Sequence, residues 1–594
     1  MLFFAQRLDE LLFDYTLDTY KASALNAPYL CLEALDLIAD IETGNIDAAN
    51  LEHVLEELEW SLRADPVAKR LVGVDLSVFF LGEKAKTHLS KQKVLLELVQ
   101  KSIAPDMYLM ATQEALLESI SADKKNSINS LAPNWVTTLT NLGVSKTYLY
   151  QSVNAFFFTD RRIDSLEEIK IFFAESLPYI HHFEVYFSVS SEIVNFKSTL
   201  GKYSVAILDA IPADLVEIAT LNKFEICQQE VLVEVSKIHS YDIHSGRREA
   251  EETLERLRDL ALLYSHKRPI TWNSIALVRQ CCRDAPVATQ AAKSSVQNIA
   301  DLRPSTAAPR LAYLVENLSL DEKGDREKFD RIVDLHGLCA IQDAPETQLL
   351  NLWICIESFI PTEPTRNKIV NIIEMAMPVL MLLYVRRLIN NLIRDLLEWD
   401  KKFVKQILRQ ITCDSDEWLA HKVLLLFTKE NENHRSTLFQ RLDEFPLLRY
   451  RIFSLATVFG DPKKVNHMLS EHRKKLEWQI RRIYRTRNLI VHSGRSPNYI
   501  PTLIENSHDY LDSMVFAVLE ASCSAKRIAS FKQAFEMFRI QFIGYEKKLR
   551  DTEAFDSSNL GTIYYAKQPR KTADEAFESH AAMLDMAKIT GTTQ

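Results

Sequence analysis

The sequence predicts a mainly α, multi-domain protein, and three observations carry that expectation. Glycine is scarce, at 13 of 594 residues, and prolines number only 19, which disfavours turn-rich β folds and favours long helices. Apolar residues recur at spacings of three and four along most of the chain. Strict apolar–polar alternation, the mark of strands, is confined to a short middle stretch. At this length one hydrophobic core stops growing, so two to four domains are expected.

Residues 1–140 read as a region of successive amphipathic helices, with Leu51–Leu62 and Lys93–Gln100 as clear examples. Breaks fall at Gly44-Asn45, Asp65-Pro66 and Ala132-Pro133-Asn134. Residues 141–300 predict a small mixed α/β module. Phe183–Ser190 and Glu230–Ile238 alternate and are rich in valine and aromatics, Trp272–Arg279 is a third candidate strand, and Arg247–Leu263 is a helix between the last two. Residues 301–327 carry Pro304, Pro309, Gly324 and the start of a charge-dense run from Asp321 to Lys328, which predicts a linker. Residues 328–555 then predict a helical bundle, with helices near 346–360, 367–399, 402–412, 417–428, 436–458, 462–493, 500–521 and 523–550. The tail, 556–594, has mixed polar composition and is expected to be partly disordered.

Net charge is −9, so the whole protein is no basic nucleic-acid coat, and an anionic partner must meet a local patch. Residues 471–495 supply one, with eight Lys/Arg against two Glu. The eight cysteines are scattered without Cys-x-x-Cys spacing and read as reduced core residues of an intracellular protein; the vicinal pair Cys281-Cys282 is expected in the core. Phe156–Phe158 and Phe172-Phe173 are also expected to fill core. The start, Met1-Leu-Phe-Phe-Ala, lacks the basic region of a signal peptide. The apolar run Met375–Val385 is too short to cross a bilayer. A cytoplasmic protein without membrane contact is therefore expected. The phosphate-binding loop, the dinucleotide fingerprint, His-Glu-x-x-His and Gly-x-Ser-x-Gly are all missing from the sequence, and no cofactor is expected. The groups His239/Asp242/His244, His181-His182 and His467/His472 are not expected to bind metal.

One stretch stands out, Trp478 to Gly494. Wound as an α-helix at about 100° per residue, it places Leu476, Ile480, Ile483, Ile490 and Val491 on one face that should be buried. Arg487 falls in the middle of that face, where an unpaired guanidinium costs several kcal/mol. Such a residue is either half of a buried ion pair or part of a working site. Arg481, Arg485, Asn488 and His492 line a second, polar stripe. His492 sits at the predicted helix end, with Gly494 as its C-terminal cap. An imidazole can give or take a proton near neutrality, and a guanidinium can hold a phosphate, so Arg487 and His492 suit RNA cleavage without metal. Asn488, one turn from His492, can hydrogen-bond His492 or the phosphate, or be plain surface. Arg481, Arg482 and Arg485 are expected to contact an RNA backbone, unless they only form a solvated face. Glu357 lies among Trp353, Ile354, Ile356, Phe359 and Ile360 and is expected to pair with Arg487, orienting it or simply fixing helix packing.

Arg487-Asn488-Leu-Ile-Val-His492 resembles the Arg-polar-three residues-His motif of the HEPN superfamily (higher eukaryotes and prokaryotes nucleotide-binding), and the trailing Ser-Gly fits its ApeA-like branch. Upstream, Trp353 and Glu357 in Gln348–Phe359 resemble that branch's first helix. The resemblance covers about residues 326–550. It implies a HEPN-like helical domain and a metal-independent endoribonuclease, with catalytic Arg487, His492 and Asn488 supported by Glu357. It also implies a role in prokaryotic anti-phage or stress defence, with the N-terminal region sensing a trigger, binding a regulatory partner or restraining the nuclease. On a regular helix Arg487 and His492 point about 140° apart. Catalytic relatives pair two such helices, so a homodimer through this domain is implied, unless the helix unwinds near Val491. The alternatives are a non-catalytic HEPN-like scaffold that binds nucleotide, RNA or protein, and a purely structural helical protein.

Overall fold

The computed structural model describes residues 1–564 except 45, 160–162, 164, 177–178, 284, 299–300, 321–322, 413–418 and 524–527. The polar tail beyond Tyr564, Asn45, Asp321, Glu322, Cys413 and parts of the helices expected from 417 and 523 lie outside those residues. The fold is mainly α with one five-stranded sheet, and the chain forms two compact units that divide between Lys293 and Ser294.

The first unit opens with helices α1 (Leu2–Leu12), α2 (Ala27–Glu42), α3 (Ala49–Ala64), α4 (Pro66–Val72), α5 (Leu89–Ser102), α6 (Pro105–Ser121), α7 (Lys125–Leu142), α8 (Lys146–Phe157) and α9 (Leu166–Glu175). The Asp65-Pro66 break is an N-cap: Asp65 Oδ1 accepts from Val67 N at 2.8 Å and Ala68 N at 3.2 Å. Its other oxygen accepts from Tyr108 Oη and Asn134 Nδ2, so the buried carboxylate is satisfied. Residues 146–157 and 166–175, expected within the α/β module, form two helices packed into the N-terminal aromatic core. Phe157 and Phe173 meet Phe4, and Phe172 and Phe173 meet Trp135. Phe158 is the member of the predicted core aromatics that stays exposed.

The sheet follows: β1 (His181–Ser190), β2 (Val205–Leu208), β3 (Glu230–Ser240), β4 (Trp272–Gln280) and β5 (Val287–Gln290), in the antiparallel order β2-β3-β1-β4-β5. Short helices α10 (Lys197–Leu200) and α11 (Val216–Leu221) lie between β1 and β3, and α12 (Ile243–Leu262) follows β3. Alternation works as strands require. Phe183, Val185, Phe187 and Val189 join Val233, Val235, Ala276 and Val278 in a core shared with α12, while Tyr186, Leu232 and Leu277 face the other side with Leu215 and Phe224. Asp242 caps α12 by accepting from His244 N and Ser245 N, and His244 Nε2 bonds Gln151, so this histidine–aspartate group is occupied by structural roles. Gly246 is needed because a Cβ there would sit 2.9 Å from the Phe183 ring. Beside it the buried Arg247 donates to Ser274 O at 2.7 Å, to Thr289 O and to Glu251 Oε1 at 2.8 Å, pinning α12 to β4 and β5.

Cys31, Cys339 and Cys355 are buried as expected, and burial pushes the Cys31 and Cys355 thiols up to about 12 and Cys339 to about 11. Cys227 is exposed, and Cys281 and Cys282 are not core residues either. The vicinal pair is exposed just past β4, where the strand has left the sheet's covered middle, and Cys282 Sγ lies 3.1 Å from His181 Nδ1.

The second unit contains α13 (Pro304–Asn317), α14 (Lys323–Ile341), α15 (Pro345–Phe359), α16 (Lys368–Gln410), α17 (Leu419–Leu425), α18 (Glu432–Arg441), α19 (Pro446–Phe459), α20 (Pro462–Ser493), α21 (Ile500–Ser522) and α22 (Phe531–Asp551). The predicted linker 301–327 is largely helical: Pro304 occupies the first turn of α13, where no N–H is required, and Ser319 Oγ donates to Ser522 O at 2.6 Å. The single helix expected over 436–458 breaks before Pro446 into α18 and α19. In α16 the expected division near residue 400 is a kink at Asp400 (φ −152°, ψ 85°), whose side chain caps the next segment through Phe403 N at 3.0 Å. As one helix α16 is long and apolar enough to cross a membrane, but 72% of its most apolar window is buried in the protein.

Replacing Arg247 with Met leaves two strand carbonyls and Glu251 without their donor. The expected cost is about 2–4 kcal/mol. Faster hydrogen exchange of the β4 and β5 amides, with amides of the second unit unchanged, is the outcome that checks it.

Candidate functional site

The site is built on α20. Asp461 caps its start, accepting from Lys463 N at 2.9 Å, and Gly494 ends it in the left-handed region (φ 64°), donating to Ile490 O at 3.0 Å. The helix runs without interruption through Ser493, so Val491 is not a point of unwinding. Leu476, Ile480 and Ile483 are buried as the periodicity requires. Ile490 is only half-buried and Val491 is 51% exposed, so the apolar seam leaves the core over the last turns.

The polar stripe is not a solvated face. Arg482 is 2% exposed and Arg485 8% exposed, because α20 is covered by α15, α16, α19, α21 and α22 and not by one neighbour alone. Arg482 Nη1 donates to Gln479 Oε1 at 3.2 Å, and both arginines make further polar contacts. Neither presents its charge to a surface-bound RNA backbone. Arg481 is half-buried and tied to Glu477 Oε1 at 2.8 Å, one turn back.

Arg487 differs from all three. It is half-buried, its Nη1 donates to Asn488 Oδ1 at 2.9 Å, and its Nε is enclosed without an acceptor. No carboxylate among the described residues lies within ion-pair distance of it. The expected pairing with Glu357 is not formed. Trp353 Nε1 donates to Glu357 Oε1, and Lys368 Nζ, at the start of α16, lies 2.8 Å from Glu357 Oε2. The sequence around Glu357 showed an apolar setting that called for a cation, but not which cation the turn between α15 and α16 would deliver. The two motif helices do meet: the Trp353 ring packs against Tyr484 with centroids 5.5 Å apart. Asn488 is half-buried and spends its carbonyl on Arg487. His492 is exposed on the last turn. A regular helix turns Arg487 and His492 about 140° apart.

The last two turns therefore carry a half-buried guanidinium with one neutral partner and an exposed imidazole. No Asp or Glu occurs between Glu477 and Glu505. Among the described residues the Arg487 guanidinium therefore keeps hydrogen-bonding capacity beyond its one bond to Asn488, with Nε enclosed and no carboxylate competing for it. Elsewhere, His472, not expected to bind metal, stacks on Tyr384 with centroids 3.6 Å apart.

No family model, curated protein or solved structure matches the chain.

The two classes of arginine predict opposite stability effects. Arg482→Met should cost about 2–4 kcal/mol, since it strips buried partners of their donor. Arg487→Met removes an enclosed, unsatisfied N–H and should leave stability unchanged or raise it by about 1 kcal/mol. Urea unfolding of the full chain compares them. A large loss in Arg487→Met would mean the guanidinium is a structural element.

Proposed function

We propose that the C-terminal unit is a HEPN-type, metal-independent endoribonuclease that works as a homodimer. The observation that carries this is Arg487, a guanidinium at the apolar seam with no anionic partner among the described residues. A cation kept unpaired there costs stability unless it has a ligand to meet. In the proposed reaction the RNA 2′-oxygen attacks the adjacent phosphorus while one His492 takes its proton. The bond to the 5′-oxygen breaks as a second His492, from the other chain, protonates that leaving oxygen. The products are a 2′,3′-cyclic phosphate and a 5′-hydroxyl end. Arg487 stabilises the charge that builds on the phosphorane oxygens, and Asn488 holds the guanidinium in place. The regular end of α20 supports the two-chain arrangement, since one helix directs Arg487 and His492 to different sides. Lys368 takes the place expected for Arg487 as the cation paired with Glu357, tying α15 to α16. The resemblance that suggests the chemistry also suggests a prokaryotic anti-phage or stress role, with the first unit as sensor or restraint.

Burial of Arg482 and Arg485 favours a second reading, a non-catalytic scaffold that binds a nucleotide or partner protein, because it removes two cations from the surface available to RNA.

RNA cleavage in EDTA by wild type, His492→Ala and Arg487→Ala separates the two. The nuclease reading expects each variant to lose about 10²–10⁴-fold in rate, and wild-type activity per chain to rise with protein concentration. Equal cleavage by all three proteins, or none by wild type under every condition, supports the scaffold instead.

A further inference from the structure

A group that includes none of the α20 residues, two imidazoles and a carboxylate, converges between α14 and α21. His508 and Asp512 lie one turn apart on α21, and His336 reaches them from α14. His336 Nε2 is 2.8 Å from His508 Nε2 and 3.3 Å from Asp512 Oδ1, while His508 Nε2 is 3.7 Å from Asp512 Oδ2. The imidazole planes are within 20° of each other. His508 is buried, whereas the side chains of His336 and Asp512 keep 37% and 26% of their exposure, so the group opens to solvent on one side.

These contacts need a positive centre. A neutral imidazole nitrogen facing the cluster is an acceptor unless it holds the proton, and a carboxylate is only an acceptor. One shared proton can supply that centre, as an imidazolium beside the Asp512 carboxylate, and so can a metal ion. Asp512 has no lysine or arginine partner among the described residues, and its polar contacts there are the two histidines. His508 Nδ1 is enclosed without a partner, so the cluster supplies every polar contact of that buried ring. A divalent ion matches all three donors at once. With bonds of about 2.1 Å, ligand atoms around one ion stand roughly 3.0 Å apart at right angles and roughly 3.4 Å apart in a tetrahedron. The observed separations, 2.8 to 3.7 Å, span those values.

We propose that His336 Nε2, His508 Nε2 and the Asp512 carboxylate form a binding site for a first-row divalent transition metal of the zinc class. Three protein ligands leave at least one coordination position toward solvent for water or a further ligand. The ion ties α14 to α21, which no sequence spacing joins. This site is separate from Arg487 and His492 and does not rest on the nuclease reading.

The test uses the untagged full chain in a Cys281→Ser/Cys282→Ser background, which removes the second group among the described residues able to take zinc, His181 with Cys281 and Cys282. Equilibrium dialysis with zinc should retain one ion per chain, zinc should raise Tm, and cobalt(II) should give a visible d–d spectrum. Asp512→Asn and His336→Ala, both at partly exposed positions, should weaken zinc binding about 100-fold or more while keeping the circular dichroism of the parent. Absence of retained zinc and of a Tm shift in the parent overturns the proposal. So does unchanged zinc affinity in both variants. Either result would assign the cluster to a shared proton.

Discussion

The apolar length of α16 has to be covered by protein on nearly all sides, and that requirement arranges the C-terminal unit. Residues from Ile369 to Leu408 are buried along it, and α17, α20, α21 and α22 pack against it. Burying a side chain such as Leu or Ile is worth about 1.5–3 kcal/mol, so the helices that cover α16 are held in position far more firmly than their own propensities would hold them. A consequence falls on α20. Packed against α16 and also against α15, α19, α21 and α22, it has no exposed residue from Leu476 to Thr486. Arg482 and Arg485 are enclosed for that reason, between exposed charges at Arg473, Lys474 and Lys475 on one side and the exposed last turn on the other.

The same constraint separates structural cations from one that is not. Arg247, Arg481 and Arg482 each reach acceptors within their own unit, and removing any of them would strand those acceptors. Glu357, the carboxylate nearest in sequence pattern to a partner for Arg487, is committed to Trp353 and Lys368. Arg487 is left with an amide oxygen. The half-burial of its side chain weakens hydration of the guanidinium without replacing it by a counter-charge, and electrostatic attraction for an arriving anion is stronger at such a position than on an open surface.

Much of this architecture was legible in the sequence where one period dominated. The bounds of α20 were set by Asp461-Pro462 at one end and Gly494 at the other, and the kink in α16 by Asp400, a residue that caps helices more readily than it continues them. Three strands announced themselves by alternation, while β2 and β5, four residues each, were too short to show a period. Composition misled at 301–327, where proline and charge suggested a linker but Pro304 starts a helix. In the site, the wheel placed Arg487 correctly at the seam, yet it assumed one buried face and so put Arg482 and Arg485 in solvent. Which helices surround a helix is a property of tertiary packing, and local periodicity carries no record of it. The same holds for His336, whose sequence distance from His508 hid their meeting; only the spacing of four between His508 and Asp512 was visible.

In the proposed homodimer the geometry of α20 has an electrostatic consequence. Bringing two copies of its C-terminal turns together places two Arg487 guanidinia near each other without any acid between Glu477 and Glu505 to offset them. Two unit charges about 8 Å apart repel by about 0.5 kcal/mol in water and about 2 kcal/mol at the dielectric typical of a protein surface. An RNA phosphate placed between them reverses the sign of that interaction. Phosphate binding and pairing of the two chains then favour each other, because each lowers the free energy of the other by the same amount. In the proposed homodimer, helices whose charges oppose association until the substrate arrives would withhold the assembled site in the absence of RNA and stabilise it in its presence.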